Sequence, residues 1–486
     1  MTVPRKSLLV CLPALLLWGG QQTLIRTNVQ VVEVSIVATG AKEPLDAHDF
    51  RLWDEGKEQT VLSLQKVDSR AASGAAELPS NTFSNRIGKA GQAQVLSMIL
   101  LDAANTKYHY QAVGRHAVET FLEQLEGGER VALYAFGSEL RTLHDFSADR
   151  QSLLKKLREY RGEQTEYDEV LPEWRVNPSI IPPARTRWVR LNHNRVVNTL
   201  AALESLANHV KGIPGRKNLI WVTEGFQLPL AGERFPEEVK RAMAALNDAS
   251  VSLYPVDQRG LLFGKPNPIN DPMGVMQDFA DATGGKAYYN RNDLDRGVRL
   301  ALEDSREVYW LTYSPSNMSP NGAYHRIRVE TTRSGVQIRH RLGYYAPANE
   351  EETPASGEDR MSSVMASPVD SAGIGIRAAI EPAADRIALR VQVDPADLNL
   401  AQNAGEWTGA LHLEAMQTGA AGDRLGRVSQ AAELNLEQAT YDRALLQGLR
   451  FEIKFVRALA AVAVRIGVVD EKGGHVGSLL IPLPPR

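Results

Sequence analysis

The run Val95-Leu96-Ser97-Met98-Ile99-Leu100-Leu101-Asp102-Ala103-Ala104-Asn105-Thr106 constrains this chain more than any other stretch. Its nearly unbroken apolar half reads as a strand of a parallel sheet that is buried on both faces. That strand delivers an aspartate and small polar residues into a turn. Ligands of open α/β sheets collect in the crevice beyond the carboxyl ends of the strands, so Asp102, Asn105 and Thr106 stand where a hard cation or polar ligand would be met. Ala104 interrupts the set with a side chain that has no oxygen.

With 486 residues the chain has room for about three domains of ~150 residues, and 43% hydrophobic content can fill their cores. A formal net charge of −3 provides no overall attraction for a polyanion, which argues against a nucleic-acid partner. Residues 1–20 carry Arg5 and Lys6 before an apolar run at 8–18. This is the pattern of a secretory signal peptide, too short to span a membrane. The expected location is exported: periplasmic, cell-envelope or secreted, with a membrane contact only if the leader stays uncleaved. Cys11, the one cysteine, lies inside the leader, so a disulfide framework is excluded.

Residues 21–68 contain two period-two stretches and read as an N-terminal β unit, too small to be stable alone. Residues 69–94 are aperiodic and rich in Ala, Ser and Gly, which reads as a linker. Across 95–306, strand segments at 95–102, 130–136, 217–223 and 251–256 alternate with helix-length segments. That alternation predicts an α/β domain, its mostly parallel sheet covered by helices on both faces. The proline-bearing stretch 162–190 reads as a long solvated loop ending in the basic cluster Arg185, Arg187, Arg190 and Arg195. Period two returns in 307–347, which should pack with the N-terminal unit as a β-sandwich flanking the α/β domain. A second linker, 348–369, precedes a C-terminal all-β sandwich, 370–486, of short strands without helices.

Several segments taken together carry a family resemblance. They are Asp102 with Asn105-Thr106, Arg130-Val131-Ala132-Leu133-Tyr134, Gly215-Arg216-Lys217-Asn218-Leu219-Ile220-Trp221, Tyr254-Pro255-Val256-Asp257-Gln258-Arg259-Gly260 and Ala282-Thr283-Gly284-Gly285. Framed by Asp49-Phe50, Asp54-Glu55-Gly56-Lys57 and the stretch 339–346, they resemble the VWFA-related domain proteins of acidobacteria, in the von Willebrand factor type A superfamily. The resemblance spans roughly 29–347 and implies a Rossmann-like fold. It also implies a metal-ion-dependent adhesion site, in which a DxSxS motif, a threonine from a later loop and an aspartate after the fourth strand hold Mg²⁺. Asp102 matches the first ligand and Thr106 the third; Ala104 replaces the second. Glu224 stands where the aspartate is expected, which makes Asp102, Thr106 and Glu224 the implied metal set. At the threonine's spacing lies Val197, with Asn198 and Thr199 beside it. Asn105, Asp257 and Arg259 are further candidates for lining the crevice. The bland alternative is a degenerate pocket in which Asp102 is a structural carboxylate held by turn amides.

Other motifs point away from catalysis. Residues 212–216 precede a strand, so their glycines read as a helix stop rather than a phosphate cradle, with Arg216 and Lys217 in solvent. The histidines lack metal spacing, and neither a nucleophile elbow nor a Walker loop is present. The leading expectation is an exported, non-enzymatic protein that binds another protein or an envelope component in adhesion or assembly. One alternative is a metal-independent envelope scaffold. Another is a hydrolase or small-molecule-binding enzyme using Asp102, Glu224 and Asp257.

Overall fold

The computed structural model describes residues 31–68, 81–86, 96–125, 129–165, 181–213, 215–226, 235–261, 272–304, 307–316, 321–346, 356–367, 369–382, 385–403, 405–420 and 423–484. The expected signal peptide lies outside them. Strands β1 (Val32–Thr39), β2 (Phe50–Asp54), β3 (Lys57–Gln59), β4 (Val61–Asp68) and β5 (Thr82–Ser84) come first. Next are β6 (Leu96–Asp102), α1 (Tyr108–Glu123), β7 (Val131–Phe136), β8 (Leu140–Ser147), α2 (Arg150–Glu159), α3 (Ile181–Val210) and β9 (Lys217–Thr223). They continue into α4 (Pro236–Asp248), β10 (Val251–Asp257), α5 (Pro272–Thr283) and α6 (Leu294–Glu303). After these follow β11 (Glu307–Tyr313), β12 (Tyr324–Thr331), β13 (Gln337–Arg339), β14 (Gly343–Tyr345) and α7 (Gly357–Ala366). The chain closes with β15 (Ile376–Pro382), β16 (Arg386–Val393), β17 (Ala401–Asn403), β18 (Glu406–Thr418), β19 (Arg424–Glu437), α8 (Gln438–Gln447), β20 (Leu449–Val456), β21 (Ala463–Asp470) and β22 (Val476–Pro482).

The central sheet has the order β10-β9-β6-β7-β8, parallel except for β8, an antiparallel edge that the sequence reading missed. Every residue of β6, β7, β9 and β10 is buried because helices cover both faces. Met98 and Leu100 pack toward Leu203 and Leu206 of α3 and Leu246 of α4. Ile99 and Leu101, one step along the pleat, pack toward Val118 and Leu122 of α1, Leu157 of α2 and Val298 of α6. The expected mostly parallel α/β fold is the fold observed.

The stretch 162–190 is not a loop throughout: α3 begins at Ile181 and carries Pro182 and Pro183 in its first turn. Proline is tolerated there because the first amides of a helix have no intrahelical partner. Arg187 and Arg190 are exposed, whereas Arg195 is buried and donates to Asn192 Oδ1 at 2.6 Å. Residues 166–180 lie outside the described residues.

Strands from before and after the α/β unit interleave in two four-stranded sheets, β13-β1-β11-β4 and β14-β12-β2-β3. Val34, Ile36, Leu52, Leu311, Ile327 and Val329 form the core between them. This sandwich covers the amino edge of the central sheet, and so corrects the expectation that Arg216 and Lys217 are solvated. Arg216 is fully buried and donates to Ser35 Oγ (2.6 Å), Tyr254 Oη (2.9 Å) and the Gly284 carbonyl (2.9 Å). Lys217 Nζ donates to the Ile213 carbonyl at 2.6 Å.

Two segments read as linkers carry structure. Within 69–94, β5 adds to β15, and Asn85 donates to the carbonyls of Ser371 and Ile374. Three residues are too few to show a period, so a strand of this length escapes the pattern. Within 348–369, α7 starts at a capping box of Ser356 and Asp359 and buries Met361, Val364 and Met365. The C-terminal domain, read as all-β, also holds α8, whose Ala444 is buried. Its sheets run β20-β16-β15-β5 and β17-β18-β21-β22, with β19 on the other side of β18.

Candidate functional site

Asp102 ends β6 at the carboxyl edge of the central sheet and is 2% exposed. Burial pushes its carboxyl above the ordinary aspartate range, against the pull of the hydrogen bonds that it receives. Oδ1 accepts from the Asn105 backbone amide at 2.9 Å. Oδ2 accepts from Asn105 Nδ2 (2.8 Å), Trp221 Nε1 (2.8 Å) and Thr223 Oγ1 (2.9 Å). Strand pairing provides two of these donors, because β9 lies beside β6 and ends level with it.

The remaining oxygens of the crevice are also engaged. Thr106 Oγ1 accepts from Gln258 Nε2 (2.6 Å) and from the Glu224 amide (3.3 Å). Glu224 Oε1 accepts from the Lys107 amide at 2.8 Å, and burial raises the Glu224 carboxyl above its ordinary range. Asp257, fully buried, receives the Arg259 amide and the Arg259 guanidinium at 2.7 Å. Asp102 and Asn105 are thus joined in one hydrogen-bonded cluster, and Thr106 and Glu224 in a second one beside it. Asp257 and Arg259 form a pair of their own beside it.

Several of the site's residues were not singled out from sequence. Thr199, on α3, rather than Val197, faces the site: its hydroxyl accepts from Asn105 Nδ2 at 2.9 Å and donates to the Arg195 carbonyl at 2.7 Å. The Asn105 amide nitrogen therefore lies between Asp102 Oδ2 and Thr199 Oγ1. Trp221 carried a usable signal, since an indole buried in a parallel strand needs an acceptor for its N–H. Gln258 carried none, being one polar residue among several after β10.

These residues do not fit a divalent ion. Asp102 Oδ1 and Oδ2, Thr106 Oγ1 and Glu224 Oε1 each receive an N–H or O–H, and Ala104 contributes no oxygen. A ligand oxygen must turn a lone pair toward the metal, and here N–H and O–H groups hold those directions. Asn105 Oδ1 is the one oxygen here that is buried with no hydrogen-bond partner among the described residues.

The sheet order, the helices on both faces and the aspartate loop at the carboxyl edge make the α/β unit a Rossmann-like, mostly parallel fold with its candidate site beyond the strand ends. Among solved structures, one that this chain resembles is a von Willebrand factor type A protein from Catenulispora acidiphila, at 13% identity over 87% of this chain and 72% of that one (TM-score 0.26). Another is an aerotolerance-related membrane protein from Bacteroides fragilis, at 15% identity over 43% of this chain and 98% of that one (TM-score 0.28). A third is a proximal thread matrix protein from the mussel byssus, described with a zinc-occupied MIDAS motif, at 13% identity over 44% of this chain and 48% of that one (TM-score 0.27). No family model matches the chain, and no curated protein matches it.

Proposed function

We propose that this chain is an exported, non-enzymatic protein of adhesion or assembly type, which binds a protein or envelope component through the crevice above Asp102 without a resident metal ion. The reading rests on the Asn105 amide, which bridges Asp102 Oδ2 and Thr199 Oγ1 and so holds with N–H groups the place where a cation would join the two oxygens. The site is preorganised by hydrogen bonds and offers a partner a rigid rim. Its carboxylates do not form an acid–base pair: Asp102 binds backbone and side-chain donors, Glu224 binds the Lys107 amide, and Asp257 is neutralised by Arg259.

Calorimetry with Mg²⁺ and Mn²⁺ tests the metal-free state, and capture of envelope proteins in the presence and absence of EDTA tests the partner. No saturable heat and EDTA-resistant capture are expected. A saturable heat that disappears in Asp102→Ala would establish instead an ion held by Asp102, Thr106 and Glu224. Turnover in a broad hydrolase screen that Asp257→Asn abolishes would overturn the non-enzymatic assignment.

A further inference from the structure

The C-terminal sandwich carries, at its margin, the longest strand among the described residues. β19 runs from Arg424 to Glu437 and pairs along one side with β18. Among the described residues no strand pairs with its other side, so a row of amides and carbonyls is open there. Proteins ordinarily blunt such an edge by shortness, proline or lysine, and β19 has none of these.

We propose that β19 is a dimerisation edge, which pairs antiparallel with β19 of a second copy of this chain. The charge order of the strand suits that occupant: Arg424 and Arg427 stand in its first half, and Glu433 and Glu437 in its second. Antiparallel pairing of two identical strands sets each basic half beside an acidic half. The pleat limits the register further. Residues opposite one another share both a face and a hydrogen-bonding sense, so the two residue numbers must sum to an even value. Centring the pair on Gln430 satisfies this. It puts Arg427 opposite Glu433 twice on the outer face, where both are exposed.

On the inner face the same register sets Val428 opposite Ala432 and Gln430 opposite itself. Leu434 of the second copy then falls opposite Gly426, which has no side chain. An isologous contact of this kind closes after two copies and so gives a dimer rather than a fibre.

The test uses the full chain in sedimentation velocity. A dimer is expected for the parent protein, a monomer for Arg427→Glu and for Glu433→Arg, and a dimer again when the two reversals are combined. A Gln430→Cys variant made with Cys11→Ser should cross-link to itself with a short bis-maleimide, and circular dichroism verifies that each variant is folded. A parent protein that is monomeric at all concentrations, a dimer indifferent to either single reversal, or a Gln430→Cys protein that does not cross-link would each overturn the proposal.

Discussion

The side chain that decides how the crevice works is Asn105, through its amide. Its Nδ2 sits between Asp102 Oδ2 and Thr199 Oγ1 and donates to both. In an Ala104→Ser/Asn105→Gly protein the amide is gone and a hydroxyl is restored. That protein is expected to give a saturable Mn²⁺ heat where the parent gives none; a silent double variant would remove the amide from the explanation. Asp102→Ala leaves the donors of Trp221, Thr223 and Asn105 buried without an acceptor, and should cost about 3 kcal/mol in urea unfolding. Asp102 also has a pH signature. Because its folded pKa is raised, its contribution is fully present below the unfolded value of 3.8 and is lost as pH rises through the folded value. Asp102→Asn cannot ionise, so a stability profile across the acidic range should lack that fall.

Among the elements, β9 carries the most unusual buried group. Lys217 opens the strand and is 2% exposed; burial lowers its pKa to about 7, with Glu33 opposing the shift. A folded pKa below the unfolded 10.5 means that the folded state releases the proton first, so stability should rise between about pH 7 and 10.5. Lys217→Met should flatten that rise, which is on the order of 5 kcal/mol over the window, read from thermal or urea unfolding at its two ends. The central strands were legible in the sequence because their apolar runs are unbroken, and Asp102 was legible because it ends one of them. Thr199 was not, because a helix brings it to the site from 94 residues away in sequence. Nor was the burial of Arg216 and Lys217, which follows from a sandwich assembled from distant strands rather than from their neighbours. The start of α3 was masked by Pro182 and Pro183, which suit a first turn and a loop equally well.

Over the whole molecule, the α/β unit is wedged between two β-rich bodies. At its junction with the C-terminal domain, His209 Nδ1 and the Asp370 carbonyl are hydrogen-bonded, and a Cβ placed on Gly212 would come within 1.5 Å of the Ala372 carbonyl. Gly212→Ala must therefore separate the two bodies or shift their backbones. Small-angle scattering should show a larger radius of gyration, with a stability loss of about 1–3 kcal/mol; an unchanged radius and unchanged stability would contradict this close approach. The other junction has a mechanical consequence. The chain leaves for the α/β unit from β4 and comes back on β11, and these strands are paired, Asp68 beside Glu307. Cα atoms so paired are about 5 Å apart. If a partner held at the crevice is left aside, tension applied between residues 31 and 346 is carried by the ladders of β1, β4 and β11. The intervening 238 residues hang from that clasp as an unloaded loop, so the crevice keeps its shape under a pull that the sandwich can bear.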